Sequence, residues 1–216
     1  MCSVQNVRKI AGRVDICIFV VLLALCNIHV LTGKFPFSLI FIPSAFGAGK
    51  WWQFITHPFV HVSLYHLLLD AGAFLMLYES FNDTNVIKKM CYVIACALGS
   101  VGTALVVSPI IYTQGLCGLS GIAHGLMAIS GLEMMQSKEN ARLGAVFFLL
   151  VVVKSMYEII SGTVLFSFMH MGLCGTPVAA CHTGGVLAGI ISYLVLSSMK
   201  PQRSMNLYGK GTSHGH

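Results

Sequence analysis

Six apolar segments, each close to the length that crosses a lipid bilayer, account for most of this 216-residue chain. A helix needs about 20 apolar residues to cross ~30 Å of hydrocarbon, and its backbone polar groups must be satisfied internally. Only 9% of the residues are charged, whereas soluble domains carry about 25%. The chain is therefore predicted to be an all-α polytopic membrane protein with six transmembrane helices. The predicted spans are 14–31, 63–80, 87–108, 118–135, 142–160 and 177–199.

The basic residues in the loops fall almost entirely on one side of this topology, and Lys34 and Lys50 alone fall on the other. Because cytoplasmic loops carry an excess of lysine and arginine, both termini are predicted to lie in the cytoplasm. The net charge of +6 is explained in this way, and no nucleic-acid partner is expected. The basic residues on the predicted cytoplasmic side are Arg8, Lys9, Arg13, Lys88, Lys89, Lys138, Arg142, Lys200, Arg203 and Lys210.

This topology divides the chain into a cytoplasmic N-terminus (1–13), one six-helix domain (14–199) and a flexible cytoplasmic tail (200–216). The apolar run that begins at residue 14 resembles a signal sequence, since basic residues precede it. No small-residue cleavage site follows, and the run is long enough to span, so a retained first helix is predicted. The compact chain suggests an integral protein of a bacterial inner membrane.

A serine in a glycine frame opens the fourth predicted span, and a histidine opens the sixth. Ser120 lies between Gly118 and Gly121, and His182 precedes Gly185 by three residues. A serine hydroxyl becomes an effective nucleophile when an adjacent base takes its proton, and imidazole titrates near neutral pH. Ser120 is therefore the candidate nucleophile, and His182 is the candidate general base.

Glycine pairs follow both candidates. Gly121 and Gly125 lie just after the serine, and Gly185 and Gly189 lie just after the histidine. Small residues at this spacing let helix backbones approach closely, which the contact between nucleophile and base requires. The second, fourth and sixth spans all run inward, and each of them begins near one of these residues. His66, Ser120 and His182 are therefore predicted to share one depth near the outer face.

The second predicted span begins with a histidine-rich segment. His66 and Asp70 are four residues apart, so they share a helix face. Ionisable groups inside a span are costly and usually functional, and this pair could stabilise the negative oxygen of a tetrahedral intermediate. The alternative is a metal site with His57, His61 and His66 as ligands. The prediction favours no metal and no cofactor.

Three motifs follow one another along the chain: Trp52 with Thr56-His57, His61, His66 and a polar residue at position 70; G-x-S-G at 118–121; and H-x-x-G-x-x-x-G at 182–189. Together they resemble the signatures of the rhomboid family of intramembrane serine proteases. The resemblance covers essentially the whole six-helix region and implies a rhomboid-like bundle. Within the family, the chain most resembles the rhombosortase branch, which is thought to process proteins with a Gly-Gly C-terminal membrane anchor.

The resemblance implies a Ser120–His182 dyad that works without a carboxylate. It also implies that the Ser120 backbone N–H and the His66 side chain hold the oxyanion, with Asp70 beside them. Gly118, Gly121, His124 and Gly185 would support the site.

The chain departs from the family pattern at three positions. Asp70 stands where asparagine is usual, so it is expected either to be protonated or to pair with His66. Gln53 stands where arginine is common, which puts the anchoring of the first loop in doubt. His124 stands where many relatives have a tyrosine, and it is expected to stack on His182 or to hydrogen-bond to it.

Lys154 and Glu158 lie four residues apart inside the fifth predicted span. The simpler interpretation is a mutually neutralised pair, or side chains that reach an interface. The functional interpretation places Glu158 at a lateral gate, where it would meet a basic region of a substrate.

The predicted function is an intramembrane serine endopeptidase that cleaves transmembrane segments of membrane-anchored proteins near the outer face. Its expected partners are such substrates and the lipid bilayer. The loop 161–176, with Phe166, Phe168, Met169 and Met171, is predicted to form a flap above the site. One alternative is a proteolytically inactive rhomboid-like protein that binds client helices. Another is a transporter that uses the histidines of the second span.

Overall fold

The computed structural model describes residues 2–83, 85–165, 168 and 173–198, with side chains from Val14 onward. Within these residues every regular element is a helix, apart from one isolated antiparallel bridge between Phe41 and Leu116. The elements are α1 (Cys2–Cys26), α2 (His29–Thr32), α3 (Pro43–Gly47), α4 (Gln53–Thr56) followed by a 3-10 turn (His57–Phe59), α5 (Leu64–Ser80), α6 (Val86–Val107), α7 (Ile111–Gln114), α8 (Ser120–Met135), α9 (Ala141–Ser161) and α10 (Ala179–Ser198).

The all-α membrane bundle predicted from the sequence is confirmed. Four segments of the described chain are long and apolar enough to cross a bilayer: Val14–Thr32, α6, α9 and α10. The pair Gln53–Phe59 and α5 meets at 97° and passes the same test as one broken span. The remaining predicted span, the fourth (118–135), corresponds to α8, which has 16 residues. Because α8 contacts α5, α6, α9 and α10, protein rather than lipid surrounds much of it.

Helices α6, α8 and α10 pack closely because glycines lie where their backbones meet. A Cβ added at Gly185 would collide with the carbonyl oxygen of Gly121, and one at Gly189 would lie 2.6 Å from that of Gly125. This is the close approach that the two glycine pairs predict. The contact between α6 and α10 depends on Gly184, where an added Cβ would collide with the carbonyl oxygen of Gly99 in α6. The three helices therefore form the central layer that carries the serine and the histidine.

Helix α1 packs against α5 through aromatic contacts and one buried hydrogen bond. The Phe19 ring meets Phe74 at a centroid distance of 4.9 Å and Tyr78 at 5.2 Å, both edge to face. The Tyr78 hydroxyl donates a hydrogen bond to the buried Asp15 carboxylate. A charge in an apolar span is costly without such a partner, so this contact fixes the register of α1 against α5.

The long connection between α1 and α5 is anchored by side chains that bond to its backbone. Gln53 is 1% exposed, donates to the Ser38 carbonyl at 3.4 Å and accepts from the Ile42 N–H at 3.3 Å. The Trp52 indole donates to the same Ser38 carbonyl at 3.0 Å. The doubt raised by Gln53 is therefore answered, since this glutamine makes anchoring contacts of its own.

The same connection forms backbone hydrogen bonds with the segment that leads into α8. Phe41 and Leu116 exchange backbone hydrogen bonds of 3.0 and 2.8 Å, and the Gly118 N–H donates to the His57 carbonyl at 3.0 Å. The first loop thereby sets the position at which α8 begins.

Some predictions concern residues that the structure does not describe. Among the predicted flap residues, Phe166, Met169 and Met171 lie outside the described residues, as does the tail 200–216. Phe168 is described and is 77% exposed.

Candidate active site

A strained turn presents Ser120 at the start of α8. Gly118 has φ of +99°, a conformation that side chains rarely adopt, and a Cβ there would lie 2.9 Å from an Asp70 carboxylate oxygen. Ser120 is the first residue of α8, and its Oγ lies 3.1 Å from Nε2 of His182. His182 is in the first turn of α10 and is 5% exposed. The two candidates that the sequence identified are therefore within hydrogen-bond reach of one another.

Glu158 holds the other ring nitrogen of this histidine. Its Oε2 lies 2.6 Å from Nδ1 of His182, and the residue is 0% exposed in α9. A proton on Nδ1, donated to the carboxylate, leaves Nε2 free to accept from the Ser120 hydroxyl. Sequence reasoning missed this contact, because it considered Glu158 only as a partner of Lys154 or as part of a gate. The available signal was the high cost of a carboxylate in an apolar span.

Lys154 joins Glu158 to His124. Its Nζ lies 2.5 Å from Oε1 of Glu158 and 2.7 Å from Nε2 of His124. The same Oε1 also accepts the backbone N–H of Leu165 at 2.9 Å. The predicted ion pair is present, and it is part of a network around His182.

His124 stacks on His182. The two rings are nearly parallel, with an interplanar angle of 11° and a centroid distance of 4.0 Å. Nδ1 of His124 donates to the Ser120 carbonyl at 2.7 Å, and its Nε2 accepts from Lys154. Of the two expected arrangements, the structure has the stacked one. His124 therefore covers one face of the His182 ring and links it to the first turn of α8.

His66 and Asp70 lie against the glycine turn from the α5 side. Nδ1 of His66 accepts the Val62 N–H at 3.4 Å, so its Nε2 carries the proton and faces Oδ2 of Asp70 at 3.2 Å. Nε2 of His61 lies 3.6 Å from the same oxygen. The structure thus has the pairing of Asp70 with His66 that was one of the two expectations.

Of the three histidines considered as metal ligands, His61 and His66 face Asp70, and both ring nitrogens of His61 lack a hydrogen bond. Nδ1 of His57 faces the carbonyls of Gln53 and Phe54 at 3.1 and 2.9 Å. Within the described chain, the cluster with metal-ligand spacing consists of His124, Glu158 and His182, whose ligand atoms lie within 4.8 Å of one another. Two of these three side chains already contact the Lys154 ammonium, which supplies a positive charge at this place.

These groups share one cavity of about 490 Å³. The segment from Cys174 to Val178 forms one wall, and Ser63 at the start of α5 donates to the Leu173 carbonyl at 2.5 Å beside it. Burial raises the pKa of the Cys117 thiol to about 12 and also raises that of Cys174. Thiols held protonated are weak nucleophiles. The site residues that line the cavity are Ser120, His182, His66, Asp70, His124 and Lys154.

The fold and the site define a helical membrane protein with a serine–histidine pair in an internal cavity. The model of the rhomboid domain matches residues 48–199, and the chain therefore belongs to the rhomboid family, whose members are typically intramembrane serine proteases. No curated protein and no solved structure gave a significant match.

Proposed function

We propose that this protein is an intramembrane serine endopeptidase that cleaves transmembrane segments of membrane-anchored proteins. The observation that carries the proposal is the 3.1 Å separation between Ser120 Oγ and His182 Nε2 inside a cavity of about 490 Å³. An unprotonated imidazole nitrogen at this distance is suited to take the hydroxyl proton as the serine attacks. Family membership supports the same reaction class.

The reaction proceeds in two halves. Ser120 Oγ attacks the scissile carbonyl while its proton moves to Nε2 of His182. The tetrahedral intermediate collapses to an acyl-enzyme as His182 passes that proton to the leaving amine. A water molecule then gives a proton to His182 and attacks the ester, and the second collapse returns the proton to Ser120 and releases the acid.

The negative oxygen of each intermediate needs hydrogen-bond donors. The first N–H groups of a helix have no partner within it, and the Ser120 N–H is the first of α8. The second donor is Nε2–H of His66, which faces Asp70 at rest and must turn toward the oxyanion. Asp70 acts as its acceptor in the resting enzyme and orients the ring.

A substrate helix reaches Ser120 only if it unwinds, because the site lies inside the bundle. Glycine in the substrate favours this step, since it adopts extended and turn conformations easily. A Gly-Gly sequence before a C-terminal anchor is the finer proposal for the substrate. The proposed topology keeps both termini in the cytoplasm, in a bacterial inner membrane, with the domain at 14–199 and cleavage near the outer face.

The test is cleavage of a single-span substrate, with a glycine-containing membrane segment and a soluble reporter, reconstituted with the full-length protein in liposomes. Ser120→Ala and His182→Ala are expected to abolish cleavage while both variants fold. Ser130→Ala, a buried serine of the same helix beside Ser80, is the matched control and is expected to cleave normally. Cleavage near the wild-type rate by either site variant would refute the proposal.

A second candidate is a proteolytically inactive membrane protein that binds client helices. The observation in its favour is Asp70, whose carboxylate faces the histidine donor that an oxyanion needs. If the wild-type protein captures the substrate helix without cutting it, and Asp70→Asn restores cleavage, this candidate is the right one.

A further inference from the structure

The contacts of Glu158 point to a third member of the proposed catalytic group. We propose that Glu158 is a positioning residue that completes a Ser120–His182–Glu158 triad, and that Lys154 holds its carboxylate in place. This inference rests on the proposed function and deepens it. A dyad without a carboxylate would leave Nδ1 of His182 to another partner, whereas here that nitrogen lies 2.6 Å from Glu158.

The two carboxylate oxygens of Glu158 have different hydrogen-bond partners. Oε2 faces Nδ1 of His182, while Oε1 faces the Lys154 ammonium at 2.5 Å and accepts the Leu165 N–H at 2.9 Å. A buried carboxylate is tolerated only when it is paired and hydrogen-bonded, and these contacts meet that requirement. Lys154 thus pairs with one oxygen of the carboxylate, while the second oxygen remains available to the histidine.

The carboxylate acts on the reaction through His182. It fixes the tautomer with the proton on Nδ1, so that the lone pair of Nε2 faces the hydroxyl of Ser120. When Nε2 takes the serine proton, the ring becomes positively charged, and the nearby negative charge stabilises that state. This stabilisation is stronger in a site of low dielectric constant than in water. No proton passes to Glu158, because Nδ1–H stays bonded to the ring throughout.

The remaining contacts of the network hold the histidine from its other side. The stacked His124 ring is fixed by Lys154 at Nε2 and by the Ser120 carbonyl at Nδ1. The single ammonium therefore orients both the carboxylate behind His182 and the ring that covers it. A simple neutralised ion pair would need neither the contact of Lys154 with His124 nor the contact of Glu158 with His182.

Glu158→Gln tests the triad, because it keeps the size of the side chain and removes its charge. With other serine hydrolases as a guide, the loss in kcat is expected to be on the order of 10²- to 10⁴-fold, with little change in KM. Glu158→Asp retains the charge and is expected to recover part of the rate. Lys154→Met is expected to cause a smaller loss. Glu139→Gln, in the exposed loop between α8 and α9, is the matched control and should behave like the wild type.

Two readouts separate positioning from mere stability. The rate at which a fluorophosphonate probe labels Ser120 should fall in Glu158→Gln in parallel with kcat, even where thermal unfolding in detergent is unchanged. In the wild type, proton NMR should show a far-downfield imidazole N–H signal that Glu158→Gln removes. The NMR readout does not depend on turnover. If the variant fails to fold, the presence or absence of the signal in the wild-type spectrum still tests the triad.

The outcomes also distinguish this inference from the proposed function. If the wild type cleaves and labels, Ser120→Ala does neither, and Glu158→Gln labels near the wild-type rate, the triad is wrong and the protease stands. Absence of the downfield signal in the active wild type would likewise overturn the triad. If the folded wild type neither cleaves nor labels, the proposed function itself has failed.

Discussion

At the residue scale, the unusual group is Asp70, because it puts a carboxylate beside the proposed oxyanion donor. Its Oδ2 lies 3.2 Å from Nε2 of His66 and 3.6 Å from that of His61. An asparagine at this place would still accept a hydrogen bond from His66 through its oxygen, and its amide would add a donor. The carboxylate is therefore proposed to orient His66 and not to contact the developing negative charge.

The first prediction concerns this carboxylate. Asp70→Asn is expected to preserve or raise cleavage at neutral pH, since the change removes a negative charge near the oxyanion and keeps an acceptor for His66. The measurement is kcat on the reconstituted substrate. Asp83→Asn, in the connection between α5 and α6, is the matched control and should leave kcat unchanged. A complete loss of activity in a folded Asp70→Asn protein would contradict this account.

At the element scale, the arrangement of α8 and α10 depends on the absence of side chains where they meet. The backbone oxygen of Gly121 occupies the place that a Cβ of Gly185 would need, and Gly125 and Gly189 repeat the contact one turn further on. A displacement of α10 would move His182 away from Ser120, because both side chains lie in the first turns of these two helices.

The second prediction compares two glycine substitutions. Gly185→Ala is expected to destabilise the protein by about 1–3 kcal/mol, as overpacking of a tight interface does, and to reduce cleavage. Gly102→Ala in α6 is the control, since nothing lies within 4 Å of an added Cβ there. Alanine favours a helix over glycine, so the control should be neutral or slightly stabilised. Equal thermal stability of the two variants in detergent would show that the glycine contact is unimportant.

The glycine spacing also shows what the sequence could and could not predict. A G-x-x-x-G pair has a local period, so it predicts a close contact before the partner helix is known. The position of Glu158 beside His182 depends on how α9 is rotated against α10, and no local pattern sets that rotation. The anchoring contacts of Gln53 could not be predicted for a similar reason, since their partners, Ser38 and Ile42, lie more than ten residues away.

At the scale of the whole molecule, the site groups converge because three helices begin at the same end of the bundle. Ser120, His182 and His66 are each in the first turn of a helix, and all three line one cavity. The predicted orientation makes this the outer end. The connection between α1 and α5 reaches this end, where the Gly118 N–H donates a hydrogen bond to the His57 carbonyl.

The third prediction concerns this orientation. In a background without reactive native thiols, a cysteine placed at the exposed Lys34 is expected to react with a membrane-impermeant maleimide on intact cells. A cysteine placed at the exposed Lys138 should react only after permeabilisation, because its loop carries cytoplasmic positive charge. The opposite pattern would invert the topology and put the proposed site at the inner face.

The central claim is that Ser120 is an activated nucleophile, and covalent labelling tests it most directly. The full-length protein in detergent is treated with a fluorophosphonate probe, and the modified residue is mapped by mass spectrometry. The account predicts one adduct, on Ser120, that is absent in Ser120→Ala and much slower in His182→Ala. A folded wild-type protein that takes no label, or equal labelling of Ser120→Ala, would contradict it.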